Sequence, residues 1–75
     1  MNVQGLQEKL IALGVPSNYY SINNSISADT YILNKVYDYW EFFYVDERGG
    51  QNDYRKFNNE NDACLYMFEV LKSEM

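Results

Sequence analysis

The sequence predicts one small α+β domain in which a helix, three or four antiparallel strands and a second helix follow one another. Three observations favour this fold. Apolar residues recur at helical spacing near both ends of the chain, β-prone runs fill the middle, and the connections between them are short. Short connections favour a β-meander, with both helices packed on one sheet face and the other face partly open. A chain of 75 residues has room for one domain and one core.

The first helix is predicted over residues 2–13. Its apolar stripe consists of Val3, Leu6, Leu10 and Leu13, widened by Ile11. Gly14 suits the left-handed conformation that ends many helices, and Pro16 prevents the helix from resuming.

The middle of the chain predicts the strands. Residues 19–22 are β-prone, and the polar residues 23–25 then predict a turn. Residues 30–36 alternate imperfectly, so their pattern leaves the choice of buried face open. After a hairpin connection at 37–38, residues 39–45 are the strongest strand signal, and aromatic residues on both of its faces predict the central strand.

The second helix is predicted after a glycine-containing loop at 48–53, which supplies positive φ angles, and a short strand at 54–57. Asn59 is the expected N-cap, and Asp62 completes an arrangement like a capping box. The apolar face of this helix carries Cys64, Met67, Phe68, Leu71 and Met75, flanked by Ala63, Leu65 and Val70.

The charge balance restricts the partners. The chain has 11 acidic and 6 basic residues and a net charge of -5. This balance disfavours nucleic-acid binding, which needs clustered Lys and Arg, and it permits a basic protein partner. The same charge is also what keeps a small protein soluble.

The residue types also restrict the chemistry. With no histidine and one cysteine, the chain has no His-dependent nucleophile pair and no internal disulfide, and we expect neither a metal site nor a cofactor. No apolar run is long enough for a membrane span, and no signal peptide is visible. We therefore expect a cytoplasmic protein that is not an enzyme and binds no membrane.

Two surface features are candidate binding sites, and each has a structural alternative. The corner formed by Asp46, Glu47 and Arg48 before Gly49 could bind charged side chains of a partner, or it could only shape the turn. The aromatic residues of the strands could act as binding anchors on an open face, or they could fill a tyrosine-rich core. A carboxylate pair such as Glu41 with Asp46 is expected to be solvated charge rather than an acid–base pair.

The chain resembles a family of small bacterial proteins, the immunity partners of secreted polymorphic toxins. The most specific motifs are W-E-x-x-Y-x-x-E-R-G, from Trp40 to Gly49, and F-x-x-E-x-x-A-C, from Phe57 to Cys64. They follow Leu6, Leu10, the Gly-Val-Pro at 14–16, the Tyr-Ser-Ile at 20–22, Tyr31 and Leu33. This chain has Asn-Asn-Ser at 23–25 where the pattern has a glycine turn, and Asn tolerates the left-handed conformation.

The resemblance implies a binding inhibitor that occludes a toxin domain, with a basic domain such as a nuclease as the suitable partner. The expected contact residues are Tyr37, Tyr39, Glu41, Asp46, Glu47 and Arg48. Two alternatives stay open: a self-associating structural or regulatory module, and an acidic mimic of nucleic acid. In solution we expect a monomer or a weak homodimer.

Overall fold

The computed structural model describes residues 1–74, and in these residues two α-helices flank four strands. The elements are α1 (Val3–Leu13), a 3-10 turn (Ser17–Tyr19), β1 (Tyr20–Ile22), β2 (Thr30–Val36), β3 (Tyr39–Val45), β4 (Gln51–Phe57) and α2 (Glu60–Glu74). The α+β order expected from the sequence is confirmed, and Met75 lies outside the described residues. Neither helix is long and apolar enough to cross a membrane.

The four strands form one sheet in the order β1-β2-β3-β4. β3 pairs antiparallel with β2 and with β4, as expected for a meander and for a central β3. β1 pairs with β2 in parallel, from Tyr20 opposite Tyr31 to Ile22 opposite Leu33. The expectation of a fully antiparallel sheet is therefore wrong at β1.

The segment 23–29 makes this parallel pairing possible. Asn23 continues the pairing, because its N–H donates to the Leu33 carbonyl (2.8 Å) and its Oδ1 accepts from the Lys35 N–H (2.7 Å). Asn23 has a φ of 53°, and Asp29 at the other end of the segment has a φ of 56°. These two left-handed residues turn the chain back to the beginning of β2, instead of allowing a tight hairpin. Asn23 thus adopts the left-handed conformation that asparagine tolerates.

Helix α1 ends at the predicted left-handed glycine, and its start is capped by Asn2, which was predicted to lie inside the helix. The Asn2 side chain accepts a hydrogen bond from the Gly5 N–H (2.8 Å), and Gly14 has the left-handed φ of 86°. The Val15 N–H then donates to the Leu10 carbonyl (3.0 Å). Ile11 is 69% exposed, so it does not widen the buried stripe.

Strand β4 is longer than the sequence predicted. It begins at Gln51 rather than at residue 54, because a tight turn replaces most of the expected loop. Gly49 supplies the positive φ of this turn (82°), whereas Gly50 does not. Asp53, with a φ of 57°, lies at the irregularity in the β3–β4 register.

Helix α2 has the predicted reciprocal cap. The Asp62 N–H donates to Asn59 Oδ1 (2.8 Å), and Asn59 Nδ2 donates to Asp62 Oδ2 (3.1 Å). The residues of α2 that point into the core are Ala63, Cys64, Met67 and Leu71. The Glu60 carboxylate also accepts from the Val3 N–H (2.8 Å), which ties the starts of the two helices together.

The two faces of the sheet differ. On the face covered by the helices, the main core consists of Leu6, Leu10, Val15, Leu33, Trp40, Phe42, Ala63, Cys64, Met67 and Leu71. On the second face, Ile32, Phe43 and Val45 form a smaller buried cluster. Segment 23–29 passes beside this cluster. Ser21 pairs with Ile32 of the cluster, and the Ser21 hydroxyl donates to the carbonyl of Ser25 in the segment (2.9 Å).

Candidate functional site

The contact residues expected from the sequence lie at opposite ends of β3. Tyr37, Tyr39 and Glu41 lie at the start of the strand, and the turn residues 46–48 lie beyond its end. β3 runs from Tyr39 to Val45, which at about 3.4 Å per residue separates the two groups by about 20 Å. The fold therefore makes two candidate surfaces from these residues.

Tyr37 is the most exposed large side chain at the first of these ends. It is 92% exposed and occupies the turn between β2 and β3, with a φ of 57°. A left-handed conformation costs a non-glycine residue about 1–2 kcal/mol. The Tyr37 ring contributes nothing to the core, so an exposed aromatic at a strained position suggests a role outside the fold.

Beside Tyr37, side chains of β3 and β4 form an ordered group on the second sheet face. The Tyr54 hydroxyl donates to Glu41 Oε2 (2.9 Å), and Lys56 Nζ lies 4.3 Å from the centre of the Tyr39 ring. The hydrogen bond to Glu41 is the main cause that raises the pKa of Tyr54. We call this surface the Tyr37 patch: Tyr37, Tyr39, Glu41, Tyr54 and Lys56.

Tyr54 and Lys56 were missed as candidates from the sequence. The signal was present, because these residues are two apart in a predicted strand and therefore share a face. The sequence did not show which residue of β3 lies opposite them, because the register between the two strands shifts at Asp53. Lys56 lies directly opposite Glu41 in that register.

At the other end of β3, Asp46 closes the turn. Its Oδ1 accepts from the backbone N–H groups of Gly50 (2.8 Å) and Arg48 (2.9 Å), and its Oδ2 accepts from Asn52 Nδ2 (3.2 Å). These bonds, led by the one from Gly50, lower the pKa of the Asp46 carboxyl. The carboxylate is thus occupied within the turn.

Glu47 and Arg48 remain exposed at this corner. Of these two residues, only Arg48 donates to Asp46, and it does so through its backbone N–H. Neither charged side chain takes part in the hydrogen bonds that Asp46 accepts. The corner therefore combines a structural carboxylate with two exposed charges of opposite sign.

The groups most often used in chemistry are sparse or buried. Within residues 1–74, no cluster of three or more His, Cys, Asp or Glu side chains is arranged to hold a metal ion. Cys64 is fully buried, and this burial, followed by the charge of Glu60, raises the pKa of its thiol to about 11. At neutral pH the thiol is protonated and behaves as a small apolar core group.

Comparison of the chain with family models, with curated proteins and with solved structures gave no match. The functional argument therefore depends on the surfaces described above and on their chemistry.

Proposed function

We propose that this chain is a non-enzymatic protein-binding inhibitor of the immunity type, which neutralises a toxin domain by occluding it. The observation that carries the proposal is Tyr37, an almost fully exposed aromatic ring held in a strained turn. Tyrosine is among the residues that most often dominate the energy of protein interfaces.

The surroundings of Tyr37 support its use as an anchor. It joins β2 and β3, whose residues pair without interruption from Thr30 opposite Val45 to Val36 opposite Tyr39. A ring on such a hairpin is held on a rigid support, which lowers the entropy cost of binding. Tyr39 and Tyr54 add aromatic surface beside it, and the Glu41 and Lys56 charges provide orientation.

The charge of the chain favours a basic partner. The net charge of -5 speeds association with a positively charged domain and disfavours binding to phosphate backbones. A cytoplasmic immunity protein that meets a basic toxin nuclease would have this balance.

Self-association through the edge strand β4 is the rival proposal. Residues 51–56 of this strand are exposed, which leaves one edge of the sheet available for pairing. However, the strand carries Asp53, Arg55 and Lys56, and its register is interrupted at Asp53. Charges and bulges of this kind oppose edge-to-edge pairing of two copies.

The test is a pull-down with the tagged chain from a lysate of its source organism, followed by a toxicity assay with the captured protein. We expect a stable complex with one toxin domain, and loss of that domain's toxicity when the chain is coexpressed. The mass of the free chain, measured by light scattering, is expected to be that of a monomer. A stable dimer that captures no toxin would overturn the proposal in favour of self-association.

Tyr37→Gly identifies the anchor, because glycine accepts the positive φ and only the ring is lost. We expect the affinity for the captured domain to fall by at least about tenfold. The matched control is Ile11→Ala, which removes another exposed apolar side chain on α1. The Ile11 variant should bind within about twofold of the parent chain. Unchanged affinity of folded Tyr37→Gly would remove this residue from the interface.

A further inference from the structure

A cleft lies at the edge of the helix-covered face, where α2 ends. It has a volume of about 360 Å³, and its described lining consists of Tyr19, Asp29, Tyr31, Tyr44 and Glu74. We call it the tyrosine cleft. It lies at the end of β3 that is remote from the Tyr37 patch, so the two surfaces can be tested separately.

Aromatic rings form one wall of the cleft. Tyr31 and Tyr44 are opposite each other on β2 and β3, and their ring centres are 4.7 Å apart with a tilt of 49°. Both are only partly buried, and Tyr19 is exposed at the rim. Rings in such an arrangement offer π surfaces, which attract cations.

The electrostatic surroundings are negative. The Tyr44 hydroxyl donates to Asp29 Oδ1 (3.4 Å), and Glu74 lines the cleft from the end of α2. The last carbonyl groups of a helix add a partial negative charge at that end. Burial raises the pKa of Tyr31, with Glu74 as the next cause, and burial followed by the Asp29 charge raises that of Tyr44. Both rings therefore stay neutral at physiological pH.

Most of the basic side chains of the protein lie elsewhere. Lys56 lies over Tyr39, Arg55 faces the ring of Tyr66, and Lys9 and Lys72 both approach Phe68. No basic residue occurs in the described lining of the cleft. The carboxylates there thus have no counter-ion from the lining itself.

We propose that the tyrosine cleft receives an arginine side chain of the partner protein. A guanidinium is planar, stacks on aromatic rings and donates paired hydrogen bonds to carboxylates. These properties match the tyrosine wall of the cleft and the carboxylates of Asp29 and Glu74. This inference rests on the proposed function, because it names the chemistry by which a basic toxin domain is recognised.

The first test uses small probes with the whole chain, and it needs no partner. N-acetyl-arginine amide is titrated against the protein, and the ring resonances of the cleft tyrosines are followed by NMR. The neutral isostere N-acetyl-citrulline amide and N-acetyl-lysine amide are titrated in parallel. We expect saturable shifts with the arginine probe at millimolar concentration, and at least about fivefold weaker binding of the citrulline probe. Equal binding of the citrulline probe, or tighter binding of the lysine probe, would overturn the assignment.

Charge variants separate the cleft from the general field of an acidic protein. Asp29→Asn with Glu74→Gln should weaken binding of the arginine probe by at least about fivefold. The control, Glu8→Gln with Glu69→Gln, removes the same charge from exposed helix positions and should change binding by less than about twofold. Equal effects of the two double variants would show long-range attraction without a site.

The same variants distinguish this inference from the proposed function. If the chain captures a toxin domain and the Asp29/Glu74 double variant binds it unchanged, the inhibitor function stands and the cleft assignment fails. If the arginine probe binds in the cleft but no toxin domain is captured or neutralised, the cleft is a guanidinium site and the immunity function fails.

Discussion

The two faces of the sheet are built on the same strands but are buried in different ways. On the helix-covered face, Leu33, Trp40 and Phe42 pack against side chains of both helices in one continuous core. On the second face, Ile32 and Phe43 are equally buried, but with Val45 they form a separate and smaller cluster. The helix-covered face therefore holds the fold together, and the second face can carry function close to a small core.

Adjacent residues of β3 allow a direct test of this difference. Phe42 lies between Tyr31, with ring centres 6.0 Å apart, and Tyr66, in an edge-on contact at 5.0 Å. Among residues 1–74, Phe43 has one aromatic contact, in which it stacks on Tyr54 with ring centres 6.4 Å apart. We expect Phe42→Ala to lower the free energy of unfolding by about 4 kcal/mol, and Phe43→Ala by about 2–3 kcal/mol, in urea denaturation.

A loss of about 4 kcal/mol approaches the whole stability of a small domain, so Phe42→Leu and Phe43→Leu should be measured as a milder pair. The order of the two positions should be the same in both pairs. Equal losses would mean that the second face is packed as firmly as the helix-covered one.

Cys64 reports on the helix-covered face alone. Because the pKa of its thiol is raised to about 11 from 9.0 by burial, the native state binds this proton more tightly than the unfolded state. The raised pKa of the Cys64 thiol therefore stabilises the native state fully below pH 9, and this stabilisation is lost as the pH rises towards 11.

We therefore expect Cys64 to resist alkylation at pH 8 in the native protein, and the parent chain to lose more stability between pH 9 and pH 11 than Cys64→Ala does. Alkylation is followed by mass spectrometry, and stability by urea denaturation at each pH. Phe42→Ala should speed the alkylation more than Phe43→Ala. Rapid labelling of the parent chain would contradict a closed helix-covered core.

The second face also contains an unfavourable polar atom. Asn34 Oδ1 is buried without a hydrogen-bond partner among the described residues. Leaving such an atom unsatisfied costs about 1–3 kcal/mol, and valine suits a strand better than asparagine. Asn34→Val should raise the free energy of unfolding by about 1 kcal/mol.

The matched control is Lys35→Val, the adjacent exposed position of β2, which makes the same change of strand propensity without a buried amide. A similar gain in both variants would assign the effect to strand propensity. A loss of stability in Asn34→Val would show that the amide is satisfied in solution.

Much of the fold was predictable because its signals are local. Asn2, Gly14 and Asn59 each determine a helix end through bonds to residues a few positions away. The central strand was recognisable because aromatic residues occur on both of its faces. Of the candidate site residues, Tyr37 was recognisable as a turn residue, and its 92% exposure follows from that position.

Other features depend on contacts between distant segments. The exposure of Ile11 depends on how α1 is rotated against α2. Helical periodicity alone is compatible with Ile11 on the buried side of the helix. The pairing of Tyr54 with Glu41 depends on the irregularity at Asp53, which shifts the β4 register. The tyrosine cleft combines residues from the 3-10 turn, β2, β3 and the end of α2.

By itself, then, the sequence determined the order of the elements, the helix caps, the central position of β3 and the acidic balance, since each depends on neighbouring residues or on composition. Only the tertiary structure decided that β1 runs parallel to β2, that the expected contact residues separate into two surfaces, and that tyrosines and carboxylates meet in one cleft. The physical reason is that a strand's residues specify its two faces but not its direction or its neighbour. The direction of a strand and its neighbour are determined by the hydrogen bonds and the burial that become available when the whole chain folds around its core.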